Sequence, residues 1–67
     1  MIIFLNHQPL DFSPDKSLFD LLHQNGYHEK KGIAVAVNDE VVAKSAWPEY
    51  PLKNADKVTL ITATQGG

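Results

Sequence analysis

Residues 33–47, IAVAVNDEVVAKSAW, carry the pattern that decides the fold. Ile33, Val35 and Val37 alternate with Ala34 and Ala36, and this period of two predicts a strand with one large apolar face and one small one. Asn38-Asp39 is a tight-turn pair, and Glu40-Val41-Val42 resumes extended character, so the stretch predicts a hairpin. Beyond it, KSAWPEYPL at 44–52 places two prolines and two aromatics close together. That segment reads as a packed loop or one helical turn, with Trp47 closing one end of the core.

On the amino-terminal side the period changes. Leu18, Leu21 and Leu22 follow the i, i+3, i+4 spacing of an amphipathic helix, and Phe19 widens the stripe through Leu22. Ser17 is a suitable N-cap with Asp20 as its capping-box partner, and Gly26 fits the left-handed position just past the end. The helix is expected over Leu18–Asn25. Only about two turns long, it needs a sheet to lie against. Earlier still, MIIFLN is rich in strand formers, NHQP is turn-like and LDF alternates. Together they predict Ile2–Asn6 paired with Leu10–Phe12, with Pro9 at the start or edge of the second strand because it has no N–H to donate.

On the carboxyl side DKVTLITA predicts a last strand over about Lys57–Ala63. The order β-β-α-β-β-β, a mixed sheet over one helix, is a small α+β roll. In it the last strand is expected to lie centrally, parallel to the first, and to eject its final residues at the sheet's edge. Residues 1–67 are read as one domain, with 64–67 a flexible tail.

The chain has 67 residues, 43% of them hydrophobic and 21% charged, in the range of a soluble globular domain. A domain of this size buries only about 60% of the surface its unfolded chain exposes, so the core must be simple. With no cysteine, a disulfide framework, a zinc ribbon and a thiol nucleophile are all excluded. The net charge is −2, arginine is absent and Lys30-Lys31 is the densest positive spot, so nucleic acid is not an expected partner. MIIFLNHQPL has no basic lead and only a short apolar run, which predicts neither a signal peptide nor a membrane span; the expected location is the cytoplasm.

Catalytic machinery is hard to assemble from these residues. His7, His23 and His28 show no metal-binding spacing, Asp11, Asp15 and Asp20 no calcium loop, and no serine has a base and an orienter. No catalytic or metal residue is expected. If Ile3 and Leu5 point inward with Val58 and Leu60, then Ile2, Phe4, Thr59 and Ile61 face outward. The single helix covers the inner face only, so Phe4, Thr59 and Ile61 become candidates for partner docking. A slip of one residue would exchange the two sets.

The chain closes on TATQGG. Two glycines lose the most backbone entropy on ordering, so Gly66-Gly67 is expected to be mobile. Without side chains they can thread a channel the width of a peptide backbone, leaving the Gly67 carboxylate sterically open. A carboxylate acylates poorly because its leaving group is oxide; a mixed anhydride with a nucleotide phosphate makes it attackable. The alternative is an end with no purpose.

These residues resemble the sulfur carrier proteins of thiamin biosynthesis, a ubiquitin-like β-grasp family. The similarity spans nearly the whole chain: the short first hairpin, SLFDLL as helix, AVAVNDEVVAKSAW in the middle, and D-x-V-T-L-I leading to Gly-Gly. The middle is the most specific part, with Ala36–Asn38 at a strand end, Val42, Lys44 and Trp47. Lys44 stands where arginine is common, and Asn54–Asp56 replaces a more usual Gly-Asp turn. The resemblance implies a carrier that is not itself an enzyme and binds no cofactor. A ubiquitin-activating-like adenylyltransferase would use ATP to adenylate Gly67, with Gly66 threading its active site. Sulfur from a cysteine-derived persulfide would leave a thiocarboxylate, and thiazole synthase would take that sulfur. The small subunit of molybdopterin synthase, sharing fold and Gly-Gly end, a carrier for another sulfur pathway, and a ubiquitin-like interaction module with an incidental tail are the alternatives.

Overall fold

The computed structural model of the protein describes residues 1–27 and 32–62. In chain order the elements are β1 (Ile2–Leu5), β2 (Gln8–Asp11), α1 (Leu18–Gln24), β3 (Ile33–Val37), β4 (Glu40–Val42), a 3₁₀ helix (Lys44–Glu49) and β5 (Lys57–Thr62). The strands form one sheet in the order β2-β1-β5-β3-β4. β1 and β5 run parallel and every other pair is antiparallel. The last strand is therefore central and parallel to the first, as the pattern predicts, and the mixed sheet grips one main helix in the β-grasp manner.

Both hairpins close with two residues in the left-handed region: Asn6 and His7 at φ 49° and 71°, Asn38 and Asp39 at φ 50° and 70°. These are the dihedrals of the turn whose twist matches that of the flanking strands, and Asn and Asp tolerate them best. Because the first turn takes only Asn6 and His7, β2 starts at Gln8 rather than at the expected Leu10. Pro9 lies within it opposite Phe4. The Phe4 N–H donates away from β2, to the Asp56 carbonyl at 2.9 Å. Pro9 thus occupies a pair that exchanges no bonds, on an edge strand, and its missing N–H costs no rung.

Helix α1 starts with a reciprocal cap. The Ser17 N–H donates to Asp20 Oδ2 at 2.9 Å, and the Asp20 N–H donates to Ser17 Oγ at 3.4 Å. It ends one residue before the expected Asn25, which becomes the C-cap, and Gly26 follows at φ 79°. Leu18, Leu21 and Leu22 are fully buried against Ile3, Leu5, Val35, Val37 and Val58 from the sheet. Fully burying each such side chain contributes about 1.5–3 kcal/mol, which is what holds a seven-residue helix that would not persist alone. Trp47 caps this core from the 3₁₀ helix, and its indole N–H donates to the Val42 carbonyl at 3.0 Å.

Candidate functional site

The sheet turns one face to the helix and leaves the other uncovered. Ile3, Leu5 and Val58 are buried on the helix side; Phe4 and Thr59 are half-buried on the other, Ile2 is exposed and Ile61 is 49% exposed. The predicted division of faces is the one observed. It follows from strict alternation in β1 and β5, where a shift of one residue would put Phe4 and Ile61 in the core.

Phe4 and Thr59 come together. They line a hollow of about 350 Å³ with His7, Asp39, Lys57 and Val58. Phe4 pairs with Lys57, the neighbour two places before Thr59 on β5. Ile61 lies farther along the strand, paired with Ala34, outside the hollow. Gly66 and Gly67, the proposed reactive end, lie outside the described residues, as does the whole 64–67 segment.

His7, Asp39 and Lys57 were not singled out by sequence reasoning. Their convergence follows from Val58, which pairs with Leu5 on one side and Val37 on the other. The two hairpin turns just beyond Leu5 and Val37 therefore flank the start of β5, and each contributes its second residue to the rim. The hollow has an aromatic floor and a rim with both charge signs, a surface suited to a partner's side chain rather than to a phosphate. Among the described residues no group of three His, Asp or Glu side chains gathers where a metal could sit.

The start of β5 is locked from several directions. The Asp56 carboxylate is buried, 9% exposed, and accepts from the Lys53 N–H at 2.7 Å and from Asn38 Nδ2 at 2.9 Å. Asn38 Oδ1 accepts from the Lys57 N–H at 3.0 Å, and the Asn38 N–H donates to the Lys57 carbonyl at 2.8 Å. Asn54 Oδ1 accepts from the Ile2 N–H at 2.8 Å, and the Ala55 N–H donates to the Ile2 carbonyl at 2.7 Å. Ala55 carries this turn at φ 71°, a conformation that glycine adopts without strain. The unusual Asn-Ala-Asp turn noted in the sequence therefore keeps its geometry despite lacking a glycine.

Similarity to known proteins agrees with this architecture. The chain is 33% identical over 66 residues to the sulfur carrier protein ThiS of Thermus thermophilus, covering 98% of this chain and 100% of the relative. It is 25% identical over 67 residues to the sulfur carrier protein ThiS of Escherichia coli, with all of both chains covered. The crystal structure of a thiamine biosynthesis protein (ThiS) from Geobacter metallireducens superposes with a TM-score of 0.80 over 100% of both chains at 23% identity, which establishes the shared fold. The family model described as ThiS family matches residues 3–67, from the first strand through both terminal glycines. With the helix, the hollow, the terminal glycines and all of the sheet but Ile2 inside that match, the chain belongs to the ThiS family.

Proposed function

We propose that the protein is a sulfur carrier of thiamin biosynthesis whose Gly67 carboxylate is the group that is activated, loaded and unloaded by partner proteins. The observation that carries this reading is the family match, which runs through Gly66 and Gly67. As a family member the protein is a small carrier rather than an enzyme.

The chemistry follows from what a carboxylate needs. A ubiquitin-activating-like adenylyltransferase joins the Gly67 carboxylate to the α-phosphate of ATP, releasing pyrophosphate. The acyl adenylate now has AMP as leaving group. A terminal persulfide sulfur, originating from cysteine, attacks the acyl carbon, and AMP departs. A thiol then cleaves the resulting acyl disulfide and is itself oxidised, leaving the Gly67 thiocarboxylate. Thiazole synthase is the acceptor of that sulfur. The chain has no cysteine, so the sulfur cannot reside on a side-chain thiol. Gly66 lets the end pass through a narrow active-site channel. The ATP and thiol that this sequence consumes make the cytoplasm its setting.

Docking uses the uncovered sheet face, with Phe4 and Thr59 in the hollow and Ile61 beside it. An apolar centre rimmed by charged side chains is the usual composition of a partner-binding patch.

Intact-protein mass spectrometry after incubation with the cognate activating enzyme, ATP and a sulfur source tests the reading. The expected product has one oxygen of Gly67 replaced by sulfur, and deleting Gly67 abolishes it. Failure of the wild-type chain to gain sulfur, or sulfur located anywhere but Gly67, would sink the proposal. Phe4→Asp is expected to raise KM for the carrier at least about tenfold, as for loss of a central interface anchor, while the domain stays folded.

A further inference from the structure

The strand that leads to the terminal arm outruns its parallel neighbour. β1 accompanies β5 only at Phe4↔Lys57 and Leu5↔Val58, whereas β3 follows it to Ile33↔Thr62. On the β1 side the rungs advance by two residues, as a parallel ladder requires. The Phe4 N–H donates to the Asp56 carbonyl at 2.9 Å, and the Asn6 N–H donates to the Val58 carbonyl at 2.9 Å. The next rung of a continuing β1 would take the Leu60 N–H to the main-chain carbonyl of residue 6. The chain turns away at that point, because Asn6 is the first residue of the left-handed turn. The Leu60 N–H donates instead to Asn6 Oδ1 at 2.9 Å, across 54 positions of sequence. A side-chain amide oxygen stands where the strand's own carbonyl would have been. Among the described residues this is the last hydrogen bond on that flank of β5.

We propose that Asn6 is a positioning residue for the carboxyl-terminal arm. It pins Leu60, keeps β5 extended beyond the end of β1, and so sets the direction in which the chain leaves Thr62 toward an activating enzyme. Two demands meet at this position. The backbone needs a residue that tolerates positive φ, and the strand needs a carbonyl-type oxygen three bonds beyond Cα. Asn and Asp satisfy both; Gly satisfies only the first. The inference rests on the carrier reading, since it gives the pin a purpose in presenting Gly67.

Two variants separate the pin from the turn. Asn6→Gly keeps the backbone conformation and removes the acceptor; Asn6→Asp keeps both. In native-state hydrogen exchange, Asn6→Gly is expected to lower protection of the Leu60 amide by roughly tenfold, with Val35 and Val37 amides unchanged as controls. In steady-state adenylation with the cognate activating enzyme and ATP, the same variant is expected to raise KM for the carrier about fivefold with kcat preserved, the mark of lost presentation rather than lost chemistry. Asn6→Asp restores both readouts. Unchanged Leu60 protection in Asn6→Gly overturns the pin itself. Lost protection with unchanged KM overturns its role in presentation. If the wild-type chain is never adenylated, the carrier reading fails and presentation with it, and the exchange measurement alone then decides whether Asn6 holds the strand.

Discussion

Around Asp56 and Lys57, bonds from β1, from Asn38 and from Lys53 converge on the start of β5, whereas around Ile61 and Thr62 only β3 runs alongside among the described residues. The two ends of one strand thus differ in how they are held. The start is buried and cross-linked by side-chain amides and a carboxylate. At the end Ile61 and Thr62 are both exposed, and on the β1 edge the Asn6 amide is the last tie among the described residues. On the carrier reading proposed above, a protein that keeps its fold while offering its last residues to partners gains from this gradient, because local opening follows local contact density. The strand is anchored far from the arm it carries.

Four substitutions break or sharpen that contrast. The largest effect is expected at Asp56, the one buried charged side chain among the described residues. Asp56→Ala leaves the Lys53 N–H and Asn38 Nδ2 without their acceptor. Hydrogen bonds to a charged group contribute about 1.5–3 kcal/mol each, so the variant should lose about 3 kcal/mol in urea unfolding. A midpoint that hardly moves would show that the start of β5 is not the locked end.

Next comes a paired comparison along the same strand. Val58→Ala removes a side chain that is 1% exposed and should cost about 2 kcal/mol, while Ile61→Ala, at 49% exposure, should stay within about 0.5 kcal/mol. Equal losses in thermal or urea unfolding would contradict the gradient. The smallest change runs the other way. Ala55 holds φ 71°, where an L-residue is strained by about 1–2 kcal/mol, part of which glycine's extra unfolded-state entropy offsets. Ala55→Gly should therefore stabilise the fold by about 0.5 kcal/mol, seen as a small rise in Tm without change in the outer face. A loss of stability would mean that the turn relaxes its strain in some other way.

Much of this was legible in the residues themselves. Ser17 with Asp20, the Leu18-Leu21-Leu22 spacing and Gly26 placed the helix to within one residue. Alternation in Ile2–Leu5 and Lys57–Thr62 left two registers one residue apart, and the burial of Ile3, Leu5 and Val58 selects the one with Phe4 and Ile61 outward. The start of β2 was less clear, since NHQP is polar and turn-like throughout while the turn uses only Asn6 and His7. The hollow was not legible: its rim comes from His7 and Asp39, far apart in sequence, and depends on both flanking Val58. Asn6 escaped notice for a similar reason. Its side chain substitutes for a strand, and only the pairing register shows that a rung is missing there.

Trp47 has a consequence of a different kind. It is the sole tryptophan, 3% exposed, hydrogen-bonded to the Val42 carbonyl and packed on the helix side of the sheet. The protein therefore carries one tryptophan, excitable apart from Tyr27 and Tyr50 at the red edge of absorption, that belongs to the core and not to the outer face. Its emission reports whether the domain is intact and should stay silent in the docking at Phe4 and the chemistry at Gly67 proposed above. Loss of folding and loss of docking, which look alike in an activity assay, become separable by an optical signal that needs no label.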